Sequence, residues 1–174
     1  MFILNRERTD INGIVRKVYA QYEYEARAKN IDLRIELPGE EVGCLVDAEA
    51  IFKVISNLMS NAIKYSNEGG RIVISVRETP THAVISVRDF GTGISEENLP
   101  KLLNPEIHHT TYGTKNEEGS GLGLQLVQDL TRRNGGELTI ESAEGEGSTF
   151  TFTIAKEQPR SETVEDTSGG IARP

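Results

Sequence analysis

Apolar side chains recur along this chain with two different periods, and the switches between them predict its elements. Ile11, Ile14, Val15, Val18, Tyr22 and Ala26 fall at helical spacing. They predict a helix from Thr9 or Asp10, either of which can cap it, through about Lys29. Ile31, Leu33, Ile35 and Leu37 alternate with polar residues and read as a strand ending at Pro38. A short strand follows over residues 43–46. Asp47 then caps a helix over about 48–65, with Ile51, Val54, Ile55, Leu58 and Ala62 on its apolar stripe. Residues 71–78 and 82–88 read as two strands of a hairpin around Thr79-Pro80-Thr81. Residues 95–120 are polar, contain glycine and read as a lid with a helical turn near 96–103. A helix over 121–134, ended by Gly135-Gly136, precedes strands at 137–142 and 148–155. Residues 1–9 are then a lead-in, 10–157 the folded unit, and 158–174 a polar tail expected to be disordered. The mixture predicts an α/β fold: a two-layer sandwich with three main helices on one face of a mixed sheet.

Three stretches on this frame carry chemistry. Gly119, Gly121 and Gly123 alternate with Ser120, Leu122 and Leu124 immediately before a helix. Bare N–H groups at the positive end of a helix suit a polyanion. Alone, such a loop is weak evidence. On the 48–65 helix, Asn57, Asn61 and Lys64 stand at i, i+4 and i+7, so two carboxamides and an ammonium share one face. The amides could merely satisfy neighbouring backbone, and Lys64 could be a solvated helix residue. The third stretch is Asp89-Phe90-Gly91-Thr92-Gly93-Ile94, a carboxylate at a strand end followed by two glycines. Asp89 could accept a hydrogen bond from an exocyclic amine while the glycines admit a flat ring; it could equally be a turn former.

In this order the three stretches resemble the N, G1 and G2 boxes of the histidine-kinase and GHKL ATP-binding superfamily. Gly145-Glu146-Gly147-Ser148-Thr149-Phe150 resembles its last glycine-containing box. The resemblance runs from about Thr9 to Ala155 and implies the Bergerat fold, with ATP and Mg²⁺ as ligands. It implies that Asp89 accepts the adenine amine, with Gly91, Gly93, Ile94 and Tyr65 around the ring. It further implies that Asn61 ligates Mg²⁺ and that Asn57 and Lys64 serve the phosphates. Gly119, Gly121, Leu122, Gly123 and Leu124 would surround those phosphates, and Thr149 would make an adenine-side contact. The chaperone, mismatch-repair and topoisomerase members generally carry a glutamate where this chain has Asn57. An amide cannot activate water, so the resemblance points to the kinases, whose acceptor histidine lies on another domain. His82, His108 and His109 lack the context of such an acceptor, and the adjacent pair His108-His109 does not read as a metal site. Leu102-Leu103 departs from the aromatic residue usual in the family's lid.

Composition narrows the rest. The 174 residues suffice for one domain with a real core. A net charge of −8 argues against a nucleic-acid partner. Mean hydropathy is −0.40, and no apolar run approaches the ~20 residues of a membrane span. Cys44 is the single cysteine, so no internal disulfide forms, which is compatible with a cytoplasmic setting. The expectation is a cytoplasmic, monomeric ATP/ADP-binding catalytic domain of a sensor kinase. Its partner would be a histidine-bearing dimerisation domain and, indirectly, a response regulator. A non-catalytic nucleotide-binding regulator and a serine kinase or ATPase of the same fold are the rival expectations.

Overall fold

The computed structural model describes residues 3–104 and 123–156. In chain order the elements are β1 (Glu7–Asp10), α1 (Ile11–Ala28), β2 (Asp32–Glu36), β3 (Gly43–Val46) and α2 (Ala48–Tyr65). Then come β4 (Arg71–Glu78), β5 (His82–Asp89), a 3-10 turn (Leu99–Lys101), α3 (Gly123–Arg133), β6 (Leu138–Ala143) and β7 (Gly147–Ala155). Among the described residues, five strands form a sheet in the order β2-β4-β5-β7-β6. Only β2 and β4 run parallel; the other neighbours are antiparallel. This is the mixed sheet, layered against three helices, that the apolar periods predict.

The core lies between the layers. α2 is the central helix and touches α1, α3 and β5. It buries Ile51, Val54, Ile55, Leu58 and Ala62 together with Met59 and Ile63. Ile72 and Ile74 of β4, Ile85 of β5, and Phe152 and Ile154 of β7 meet them, all fully buried. Cys44 is buried in the same cluster, as a small apolar residue would be. Tyr22 is only half-buried, packed against the cluster's edge.

The N-terminal segment departs from the expected lead-in. Residues 7–10 form β1, paired antiparallel with β3 from Glu7↔Val46 to Asp10↔Gly43. Asp10, rather than Thr9, caps α1: its carboxylate accepts from the N–H groups of Asn12 and Val42, each at 3.1 Å. Asp47 caps α2 through the N–H of Ala50 at 3.0 Å and also accepts from that of Asn5 at 2.8 Å. Fully buried Asn134 receives the Asp47 N–H at 3.3 Å and donates to the Leu130 carbonyl at 2.8 Å. It thereby fastens the end of α3 to the start of α2.

The end of α1 is tied down differently. Lys29 is 5% exposed, and its ammonium donates to the carbonyls of Ile63 at 2.8 Å and Lys64 at 3.0 Å. Those are carbonyls of the last turn of α2, where a cation meets the negative end of the helix dipole.

Candidate functional site

The carboxylate of Asp89 ends β5 on the face that packs against the helices, and it is 4% exposed. Its Oδ1 accepts from the Gly91 N–H at 3.0 Å, and the Ser148 N–H also donates to it. Burial nevertheless wins over these two bonds and pushes the Asp89 carboxyl up to about 6. A buried acceptor with so little else to satisfy it is a site for a polar ligand group.

The glycines after Asp89 also serve the chain's own packing. A Cβ on Gly91 would stand 2.1 Å from the Tyr65 carbonyl oxygen, and one on Gly93 would stand 1.9 Å from that of Ala143. Gly93 also has φ +67°, the left-handed region. Both are therefore required by the protein's own backbone: they let the loop pass between the end of α2 and the β6–β7 turn. The loop is pinned there by Thr92 N–H to the Tyr65 carbonyl at 3.2 Å and by Gly145 N–H to the Thr92 carbonyl at 2.8 Å. Ile94 follows, half-buried against the core, with its N–H on Ser142 Oγ at 2.8 Å.

α2 carries its polar face along its second half, and its last residue, Tyr65, meets the loop after Asp89. Asn57, Asn61, Lys64 and Tyr65 are all half-buried. Asn57 Nδ2 donates to the Lys53 carbonyl at 2.8 Å, which turns the carboxamide oxygen away from its own helix. That oxygen would lie 3.0 Å from a Cβ on Gly123, so it faces the first residue of α3. The Lys64 ammonium lies 5.1 Å from the centre of the Tyr65 ring. Asn57 thus faces Gly123 at the start of α3, while Tyr65 at the end of α2 meets the loop that follows Asp89. Gly119, Gly121 and Leu122 lie outside the described residues, as do His108, His109 and most of the expected lid.

Thr149 is placed elsewhere. It pairs with Arg88 and Glu141, while the residues in register with Asp89 and Ser142 are both Ser148. Successive strand residues point to opposite faces, so Thr149 turns away from Asp89 and Ser148 is the hydroxyl beside it. Reading the sequence alone missed Ser148 because two adjacent hydroxyls look alike until register is known. Among the described residues there is no group of three or more His, Cys, Asp or Glu side chains able to hold a metal. The carboxamide oxygens of Asn57 and Asn61 are hard donors, which suits Mg²⁺ that draws its remaining oxygens from phosphate and water.

Comparison with known proteins decides among the folds that could present such a site. Residues 46–158 match the family model for histidine kinase-, DNA gyrase B- and HSP90-like ATPases. The chain belongs to that ATPase family. Within the family it lies close to the kinases. It is 36% identical over 140 residues to the adaptive-response sensory kinase SasA of Crocosphaera subtropica, covering 80% of this chain and 36% of that protein. It is 31% identical over 164 residues to the sensor histidine kinase WalK of Bacillus subtilis, covering 93% of this chain and 26% of WalK. The chain therefore spans about a quarter to a third of these relatives. The nucleotide-free catalytic domain of histidine kinase ThkA superposes with a TM-score of 0.77 at 31% identity, covering 88% of this chain and 97% of that domain. No described helix is long and apolar enough to cross a membrane.

Proposed function

We propose that this domain binds Mg-ATP and donates its γ-phosphoryl group to a histidine on a separate dimerisation and phosphoacceptor domain, in two-component signalling. The observation that carries the reading is the pairing of a buried, underserved Asp89 with an amide, not a carboxylate, at Asn57. Asp89 accepts the adenine amine, and Tyr65 and Ile94 give the ring apolar contact. Asn61 and Asn57 face the phosphate end with Lys64, and the start of α3 at Gly123 and Leu124 presents N–H groups to the same end. Bound Mg²⁺ would neutralise phosphate charge, with Asn61 as its protein ligand. Asn57 cannot remove a proton from water, so the domain's contribution is positioning and charge neutralisation.

In this reading residues 95–120 form the lid, the domain works in the cytoplasm, and it is monomeric in isolation. ThkA has been seen in complex with the response regulator TrrA, and that ThkA structure superposes with a TM-score of 0.73 at 29% identity. A response regulator is accordingly the indirect partner proposed here. The test is calorimetric titration of ATP and ADP with and without Mg²⁺, followed by transfer assays with a purified histidine-bearing domain. Saturable binding and an acid-labile phosphohistidine are expected. Binding without transfer to any cognate acceptor would replace the kinase with a nucleotide-sensing regulator, and phosphoserine on a partner would replace it with a serine kinase.

A further inference from the structure

Three residues stand in one row across three strands: Asp89 on β5, Ser148 on β7 and Ser142 on β6. Ser142 Oγ has three close neighbours. It receives the Ile94 N–H at 2.8 Å, lies 2.9 Å from the Gly147 carbonyl oxygen, and lies 2.7 Å from Ser148 Oγ. A hydroxyl has one hydrogen to give and two lone pairs. The Gly147 carbonyl can only accept, so it takes the hydrogen of Ser142. The Ile94 N–H can only donate, so it takes one lone pair. The contact with Ser148 must then use the other lone pair, with Ser148 donating.

The single hydrogen of Ser148 is thereby spent inside the protein. Any group placed beside Ser148 Oγ meets an acceptor, next to the acceptor oxygens of Asp89. Ser148 is 7% exposed and its N–H already serves the Asp89 carboxylate, so the two are held side by side. A floor of acceptors matches the amine at position 6 of adenine and opposes the oxygen that hypoxanthine or guanine carries there.

We infer that Ser142 is a positioning residue for base selection: it fixes the polarity of the Ser148 hydroxyl and so helps the site reject 6-oxopurine nucleotides. The inference rests on the reading that adenine sits at Asp89. Without Ser142 the Ser148 hydroxyl is free to turn and donate to a 6-oxo group.

The experiment measures dissociation constants of Mg-ATP and Mg-inosine triphosphate by calorimetry for the native domain and for Ser142→Ala, Ser142→Thr, Ser148→Ala and the double alanine variant. Unfolding curves establish that each is folded at the assay temperature. The ratio of inosine triphosphate to ATP constants is expected to fall about tenfold in Ser142→Ala, the scale of one hydrogen bond that changes sign. It should stay native in Ser142→Thr, and Ser142→Ala should change nothing further once Ser148 is alanine. Equal weakening of both nucleotides, with the ratio unmoved, would make Ser142 purely structural and overturn the inference. So would a ratio that shifts equally whether or not Ser148 keeps its hydroxyl. Asp89→Asn separates the two levels: ATP binding that survives it unchanged would sink the adenine reading and the inference together.

Discussion

Replacing Asp89 with asparagine should change how stability depends on pH and weaken nucleotide binding. The carboxyl is buried, and its pKa rises from an ordinary 3.8 to about 6 in the folded chain. A folded-state acid with a raised pKa destabilises the fold once it ionises. That cost is absent below the unfolded value and complete above the folded one. The gap of about two pH units corresponds to about 3 kcal/mol. Asparagine keeps an oxygen for the N–H groups of Gly91 and Ser148 and removes the charge, but it buries a second polar group, the amide, whose desolvation costs about 1–3 kcal/mol. The absolute change at pH 8 is thus a small difference, whereas the pH dependence is clean. Denaturant unfolding at pH 8 and pH 4 should show the stability of Asp89→Asn relative to native falling by about 2.5 kcal/mol between the two, pH 4 lying just above the unfolded value. Over the same range the variant should lose ATP affinity by roughly 10- to 100-fold at pH 8, because a hydrogen bond to a charged acceptor is worth about 1.5–3 kcal/mol. Native affinity should itself weaken as pH drops through about 6, when protonation removes the acceptor. Superimposable stability–pH profiles for the two proteins would refute the buried-charge argument.

Other perturbations test the scaffold around this carboxylate. Gly93→Ala would place a methyl 1.9 Å from the Ala143 carbonyl oxygen at φ +67° and should cost about 2–4 kcal/mol in urea unfolding. Lys29→Met keeps the aliphatic stem but leaves the Ile63 and Lys64 carbonyls without their ammonium. It should cost about 2–4 kcal/mol by the same measurement, with Lys29→Arg recovering part of the loss. Among the described residues, a methyl at Gly123 meets the Asn57 carboxamide, its oxygen at 3.0 Å. Alanine favours a helix, so stability should change by less than about 1 kcal/mol. If Asn57 serves the phosphates as proposed, calorimetry should nevertheless show Mg-ATP bound roughly three- to tenfold more weakly, because its carboxamide is displaced.

What the chain disclosed in advance, and what it withheld, follows from the range of the forces involved. The apolar stripe of α2 and the strand alternations are local, and the three-helix, mixed-sheet layering follows from them directly. Asn57, Asn61 and Lys64 share a face by helical spacing alone. β1 was not legible, because Glu7-Arg8-Thr9-Asp10 carries no apolar alternation and becomes a strand only through its pairing with β3. Lys29 marks the end of the first helix by spacing, and only the tertiary approach of α2 makes it a buried cap.

The distinction is sharpest at Ser148 and Thr149. A strand exchanges faces with every residue, so a register error of one would swap which hydroxyl stands beside Asp89. Nothing in Gly147-Ser148-Thr149-Phe150 fixes that register by itself. It is set across strands, by Asp89↔Ser148 on one side of β7 and Ser142↔Ser148 on the other. The same cross-strand row determines which way the hydroxyls donate. Residue types and their spacing therefore point to Asp89 as a candidate site, but which hydroxyl stands beside it, and which way that hydroxyl donates, is a property of the assembled sheet.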